Sequence, residues 1–272
     1  MKRLSLSVLS LGLLAAAPSH ALFGVGVSYG MNSTSVSGEN ATLETAAMPE
    51  YLKSYATQNG LSAPSLELNR AKVSGLKQLG AKVWIDIPLT DITVDASSNV
   101  AWGSYASTAV FNDGTAAGAN DLEVKTGLKT SFPVWGIGKG ETPYINLLND
   151  LTLRYTFLSL PPVISLVKLS AGGGVTMAYG TRVVGKDDVK DLFGTGTAST
   201  DPVAVQNELS KRLSDNLYTT TFGGHLDLNV TVKPPVMPLA IYVDGKWYLH
   251  TATTKAADSY PIALSAGVAF AL

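Results

Sequence analysis

The 272-residue chain has no cysteine, three histidines and little charge, and each scarcity excludes something. Without thiols there is neither a disulfide framework nor a thiolate metal site, so stability has to come from pairing and packing alone. Downstream of residue 21 only His225 and His250 are left, separated in the chain, so no ligand cluster forms and no metal or cofactor is expected. Charged residues make up 15% of the chain, against about a quarter in an ordinary soluble domain. The net charge of −1 leaves no basic footprint for nucleic acid. Long apolar runs are missing too. Pro161-Pro162, Lys168 and Pro234-Pro235 break the best candidates beyond the N-terminus, so none reaches the roughly 18 residues a transmembrane helix needs. A surface this poor in charge faces something other than water, and without spanning helices it does so as strands.

What is present begins with an address. Lys2 and Arg3 form a charged n-region, Leu4 to Ala17 an apolar stretch, and Ser19-His20-Ala21 a small-residue cleavage site. This predicts a signal peptide over residues 1–21, cut after Ala21, and export of a single domain over 22–272. Loss of the two basic residues takes the net charge from −1 to −3.

In the exported part apolar residues recur at every second position, in segments of the length a barrel strand needs. Eight segments show it. Leu22 to Met31 sets Phe23, Val25, Val27, Tyr29 and Met31 against small residues, and Leu79 to Ile87 sets Val83 and Ile85 against Lys82, Trp84 and Asp86. Asp91 to about Trp102 opposes Val94 and Val100 to Asp95 and Asn99; Leu147 to Ser159 opposes Leu151, Leu153 and Tyr155 to Asp150, Thr152 and Arg154. Val163 to Tyr179 carries Lys168 and Thr176 on its polar face, and Phe222 to Val232 carries His225, Asp227 and Asn229. The seventh opens with Leu239, Ile241 and Val243 and runs to Trp247-Tyr248, with Asp244-Gly245 readable as a bulge or a hairpin tip. The eighth runs from Ile262 to Leu272.

The connections alternate in length. Proline-bearing turns at 88–90, 161–162 and 234–238 alternate with long loops at about 32–77, 104–145 and 181–219, and a shorter one closes the series at about 252–259. Tight turns on one side and long loops on the other is the membrane-barrel arrangement. The predicted fold is therefore an all-β, antiparallel transmembrane barrel of about eight strands. Residues 44–57 and the stretch after Asp201-Pro202 read as short helices in the loops. Asp121 to Trp135 alternates well enough to be an extra strand or a hairpin arm above the membrane, and such additions would raise the count to ten or twelve.

The inward polar set is Lys82, Asp86, Asp95, Asp150, Arg154, Lys168, His225 and Asp227. Eight strands enclose a space that side chains fill, so these residues are expected to form a paired network, with neighbours such as Arg154 and Asp150 joined. Tyr29, Trp102, Tyr155, Phe157, Tyr179, Trp247 and Tyr248 are candidates for aromatic girdles at the membrane interfaces. No Ser, Asp or Glu stands at a telling spacing from His225 or His250, so no catalytic residue and no enzyme activity is expected. Gly172-Gly173-Gly174 and Gly223-Gly224 match no phosphate loop and read as strand glycines.

From Tyr260 to Leu272 apolar residues alternate and an aromatic, Phe270, stands third from the end. This stretch resembles the terminal strand signal of bacterial outer-membrane barrels, departing from it at Leu272, where such proteins usually carry an aromatic. As a class the chain resembles the small eight-stranded barrels of the OmpA, OmpX and OmpW type. The resemblance implies a place in the bacterial outer membrane, contact with outer-membrane lipid, and insertion by the barrel-assembly machinery through the strand bearing Phe270 and Leu272. It implies no particular function. The leading expectation is a structural or surface-interaction role through long extracellular loops. One alternative is a channel or transporter for small apolar or ionic solutes, with Lys82, Arg154 and Lys168 lining the path if the barrel is wider. The other is a soluble periplasmic ligand-binding barrel, which requires a polar outside and an apolar inside.

Overall fold

The computed structural model describes residues 23–44, 57–58, 60, 65–112, 122–125, 141–160, 166–181, 183, 185, 218–234, 237–249 and 260–271. These contain twelve strands: β1 (Phe23–Asn32), β2 (Glu39–Glu44), β3 (Ser65–Arg70), β4 (Leu76–Asp86), β5 (Ile92–Tyr105), β6 (Ser107–Asn112), β7 (Leu122–Lys125), β8 (Thr142–Leu160), β9 (Val167–Thr181), β10 (Tyr218–Val232), β11 (Leu239–Tyr248) and β12 (Ile262–Ala271). Eight of them close a barrel in the order β1-β12-β11-β10-β9-β8-β5-β4, every neighbour antiparallel. β1 seals it, pairing Val27 with both Val268 of β12 and Ala81 of β4. Closure leaves no unpaired barrel edge.

The period-2 pattern decides which face each side chain takes. Val27, Leu79, Leu151, Leu228, Ile241 and Leu264 point out and are exposed, whereas Lys82, Asp95, Asp150, Arg154 and Asp227 point in and are buried. An apolar outside around a polar inside is the reverse of what a soluble ligand-binding barrel needs, so that expectation is corrected. Asp244-Gly245 is neither tip nor bulge. β11 runs straight through it, Asp244 facing Asn229 and Ser265, and Gly245 facing Leu228 and Leu264.

Inward glycines on β1 and β12 make room for large rings. Trp84 of β4 lies directly over Gly24, and Tyr242 of β11 sits against Gly26 and Gly267, where a Cβ on Gly26 would stand 2.8 Å from the ring. At the β4–β5 turn, Ile87 donates its N–H to the Ile92 carbonyl at 2.9 Å. Leu89 at its tip carries φ 63°, a left-handed conformation that costs a non-glycine residue about 1–2 kcal/mol.

The remaining four strands form a second sheet in the order β2-β3-β6-β7. These follow or precede the adjacent barrel strands β1, β4, β5 and β8 in the chain, so one half of the barrel wall continues beyond the rim as a ribbon. The junction is tied by the Val36–Val73 bridge and by the Ala71 N–H on the Ala106 carbonyl at 2.8 Å. Reading 32–77 and 104–145 as loops thus missed β2, β3 and β6, while Leu122–Lys125 is the arm above the barrel rather than a ninth barrel strand. The barrel stays at eight. The expected helices at 44–57 and after 201 lie almost wholly outside the described residues, as do residues 1–21, His250 and Leu272.

Candidate functional site

Among the described residues charge is concentrated in the lumen, where it is layered along the barrel axis. At the end bearing the short turns, Lys168 of β9 pairs with Asp86 of β4 at 3.2 Å, and Thr93 of β5 donates to the other Asp86 oxygen at 2.6 Å. Lys233, just past β10, stands at the same mouth. Above these groups lies a cavity of about 40 Å³ whose lining includes Lys82, Arg154, Lys168 and Lys233, room for about three waters.

The next layer is built around Arg154 of β8. Its Nη1 donates to Asp95 of β5 at 3.1 Å, its Nη2 to Asp244 of β11 at 3.2 Å, and its Nε to Asp227 of β10. Lys82 of β4 holds the second Asp244 oxygen at 2.8 Å, and its ammonium lies 3.6 Å from the centre of the Tyr242 ring. Asn229 also donates to Asp244. Four of the eight barrel strands are therefore cross-braced through one guanidinium, whose planar fork of five donors suits several carboxylates at once, and Lys82 ties in a fifth, β4, through Asp244.

A third layer centres on Asp150 of β8. Lys246 donates to it at 2.7 Å, the Tyr248 hydroxyl at 3.1 Å and Thr176 at 2.8 Å. His225 is clamped between Thr176 at Nδ1 and Thr152 at Nε2, both at 2.8 Å. The Thr176 hydroxyl has one hydrogen and gives it to Asp150, so it accepts from His225 Nδ1–H. Beyond this layer Leu148, Ala178, Tyr248 and Ala263 pack together, beside a polar chain in which Asn32 donates to Gln78 at 3.3 Å and Gln78 to Asn99 at 3.4 Å.

The eight polar residues expected to point inward are all found inside, but they pair differently. Arg154 does not meet Asp150. Four residues apart on one strand they are about 13 Å apart, while cross-lumen carboxylates stand within hydrogen-bond reach. Asp150 takes Lys246 instead. Lys246, Asp244 and Tyr242 escaped the sequence reading because Asp244-Gly245 was read as a break in the strand. Counting by twos from Ala240 finds all three.

Tyr29, Trp102, Tyr155, Phe157, Tyr179 and Trp247 lie on the outward face, Tyr29, Trp102, Tyr179 and Trp247 toward the ribbon end and Tyr155 and Phe157 toward the turn end. Tyr248 does not join them. It is fully buried and serves Asp150, because adjacent residues on a strand face opposite sides and Trp247 already points out. Phe270 is outward, between Val25 of β1 and Leu239 of β11.

No family model and no curated protein matches the chain. Among solved structures it is similar to neisserial surface protein A, at 10% identity over 92% of this chain and 97% of that one, with a TM-score of 0.38. It is similar to the outer membrane protein OprG of Pseudomonas aeruginosa, at 10% identity over 93% and 98%, TM-score 0.36. It is also similar to the outer membrane protease OmpT of Escherichia coli, at 11% identity over 92% and 96%, TM-score 0.36.

Proposed function

We propose that this chain is an outer-membrane β-barrel protein with a closed lumen, acting as a structural or surface-interaction protein through the ribbon and loops at its long-loop end. The observation that carries the reading is the Arg154 layer, which bonds the lumen from wall to wall while half of that wall continues outward as β2-β3-β6-β7. A filled lumen conducts nothing at rest, and the ribbon leaves protein surface above the membrane for a partner.

The membrane assignment rests on the outer face. From Phe23 to Met31 the outward residues of β1 span eight residue steps, about 27 Å along the strand. At the usual tilt that is about 21 Å along the axis, close to the apolar band of about 25 Å in outer-membrane barrels. Lipid covers this belt, the outward aromatics form its interfacial girdles, and the assembly machinery reads β12 through Phe270. The side bearing the turns and both ends of the barrel domain faces the periplasm.

The test is membrane fractionation, gel mobility with and without boiling, and planar-bilayer recording. The reading expects the protein in the outer-membrane pellet after a carbonate wash, a mobility that changes on boiling, and silent bilayers. Recovery in the soluble periplasm ends the membrane assignment, and a steady unitary conductance replaces the closed barrel with a channel.

A further inference from the structure

We propose that the turn-side mouth of the barrel is a binding site for a phosphate-class oxyanion. This goes beyond the role assigned to the ribbon and does not depend on it. The mouth holds a cavity of about 40 Å³ that opens at the turn end. Lys168 and Lys233 line its entrance with Asp86 as the carboxylate between them, and Lys82 and Arg154 line its floor. The carboxylates that neutralise the floor are not part of the lining. Asp95, Asp227 and Asp244 lie behind the two cations, so the cavity sees ammonium and guanidinium edges first.

Hydroxyls complete the wall. Ser170 and Thr156 share a hydrogen bond at 2.9 Å, and Thr231 donates to Asn229 at 2.7 Å, leaving hydroxyl oxygens around the cavity as further polar partners. With Lys82 and Arg154 already bonded to the carboxylates behind them, the excess positive charge lies at the entrance, where Lys168 and Lys233 share Asp86, and in a half-enclosed space where water screens less that excess suits a compact oxyanion. Room for about three waters matches the body of a phosphate group. An apolar ligand would take these polar groups out of water without a hydrogen bond in return, and a cation would add to the like charges of Lys168 and Lys233 at the entrance.

Lys233 supports the reading independently. Burial pushes its ammonium below the usual lysine value, the charge of Lys168 pushes it further, and Asp86 offsets only part of this. Two lysines thus compete for one carboxylate, and a bound anion relieves both. The same chemistry is offered by free phosphate in the periplasm and by the headgroup of an anionic phospholipid at the inner leaflet.

The test is titration calorimetry of the full chain in maltoside micelles with inorganic phosphate. Saturable binding is expected, weakened at least about tenfold in Lys233→Gln, a change outside the barrel strands, and in Lys168→Gln. Unchanged gel mobility before and after boiling confirms that both variants fold. In nanodiscs, phosphate affinity equal in phosphatidylcholine and phosphatidic acid identifies the free anion as ligand, whereas loss of affinity in phosphatidic acid identifies the headgroup. Absence of saturable binding at millimolar phosphate, or binding that survives both substitutions, overturns the site.

Discussion

Replacing Arg154 with methionine tests the central claim about the lumen. Arg154 is the only partner of Asp227 among the described residues, and the only one of Asp95, whose second oxygen has none. Asp244 keeps Lys82 and Asn229. The substitution therefore strands two carboxylates that are 0% and 5% exposed as whole residues. Breaking a single buried pair by removing one partner costs about 3–5 kcal/mol. The expected loss for Arg154→Met is at least about 3 kcal/mol, held below the sum of two such penalties by water entering the adjoining cavity and by protonation of a stranded acid. The triple variant Arg154→Met, Asp95→Asn, Asp227→Asn removes the stranded charges and recovers more than about half of the loss, since deleting both sides of a buried pair is often near neutral. Urea unfolding of the protein refolded into lipid vesicles, followed by gel mobility and tryptophan fluorescence, measures both. A single variant within about 1 kcal/mol of wild type, or a triple variant no more stable than the single, refutes the hub.

Other substitutions address other parts of the structure. Leu153→Arg, on the outward face near mid-wall, should cost about 2–4 kcal/mol in vesicles if lipid covers that face, and a change under about 0.5 kcal/mol would contradict the apolar belt. Gly26→Val places a Cβ 2.8 Å from the Tyr242 ring and 2.9 Å from the Ala269 Cβ, an overpacking worth about 1–3 kcal/mol; the fraction of band that shifts on boiling should fall. Leu89→Asn relieves a left-handed turn residue that is fully exposed and should stabilise by up to about 1 kcal/mol in the same urea assay. At the mouth, sulfate keeps a fixed charge, so its calorimetric affinity should weaken as pH rises through a Lys233 value lying below 10.5; an affinity flat across that range removes Lys233, and the Lys168 and Asp86 charges facing it, from the site.

Much of the barrel was legible because a strand with one apolar outer face and one polar lumen face prints its alternation directly on the sequence. β10 shows this well: Leu226, Leu228 and Val230 against His225, Asp227 and Asn229. Legibility failed where that contrast between the two faces ends. β2, β3 and β6 lie beyond the barrel rim, outside the wall that has an apolar outer face, and stretches such as Ser65–Arg70 read as loop. It also failed at Asp244-Gly245, a turn signal overridden by pairing on both sides, since a strand between two neighbours in a closed barrel gains more from its ladders than from a local turn.

The sequence by itself determined the eight barrel segments, most of their inward and outward faces, and the tight connections between them, because these follow from residue-level polarity and turn chemistry. Only the tertiary structure decided which charges meet. Arg154 reaches Asp95, Asp227 and Asp244 on three other strands, and partners across a lumen depend on barrel closure and register, which spacing along one chain does not encode. For the same reason the continuation of one half-wall into the ribbon, and the gathering of Lys168 and Lys233 at one mouth, emerge only when the eight strands are closed.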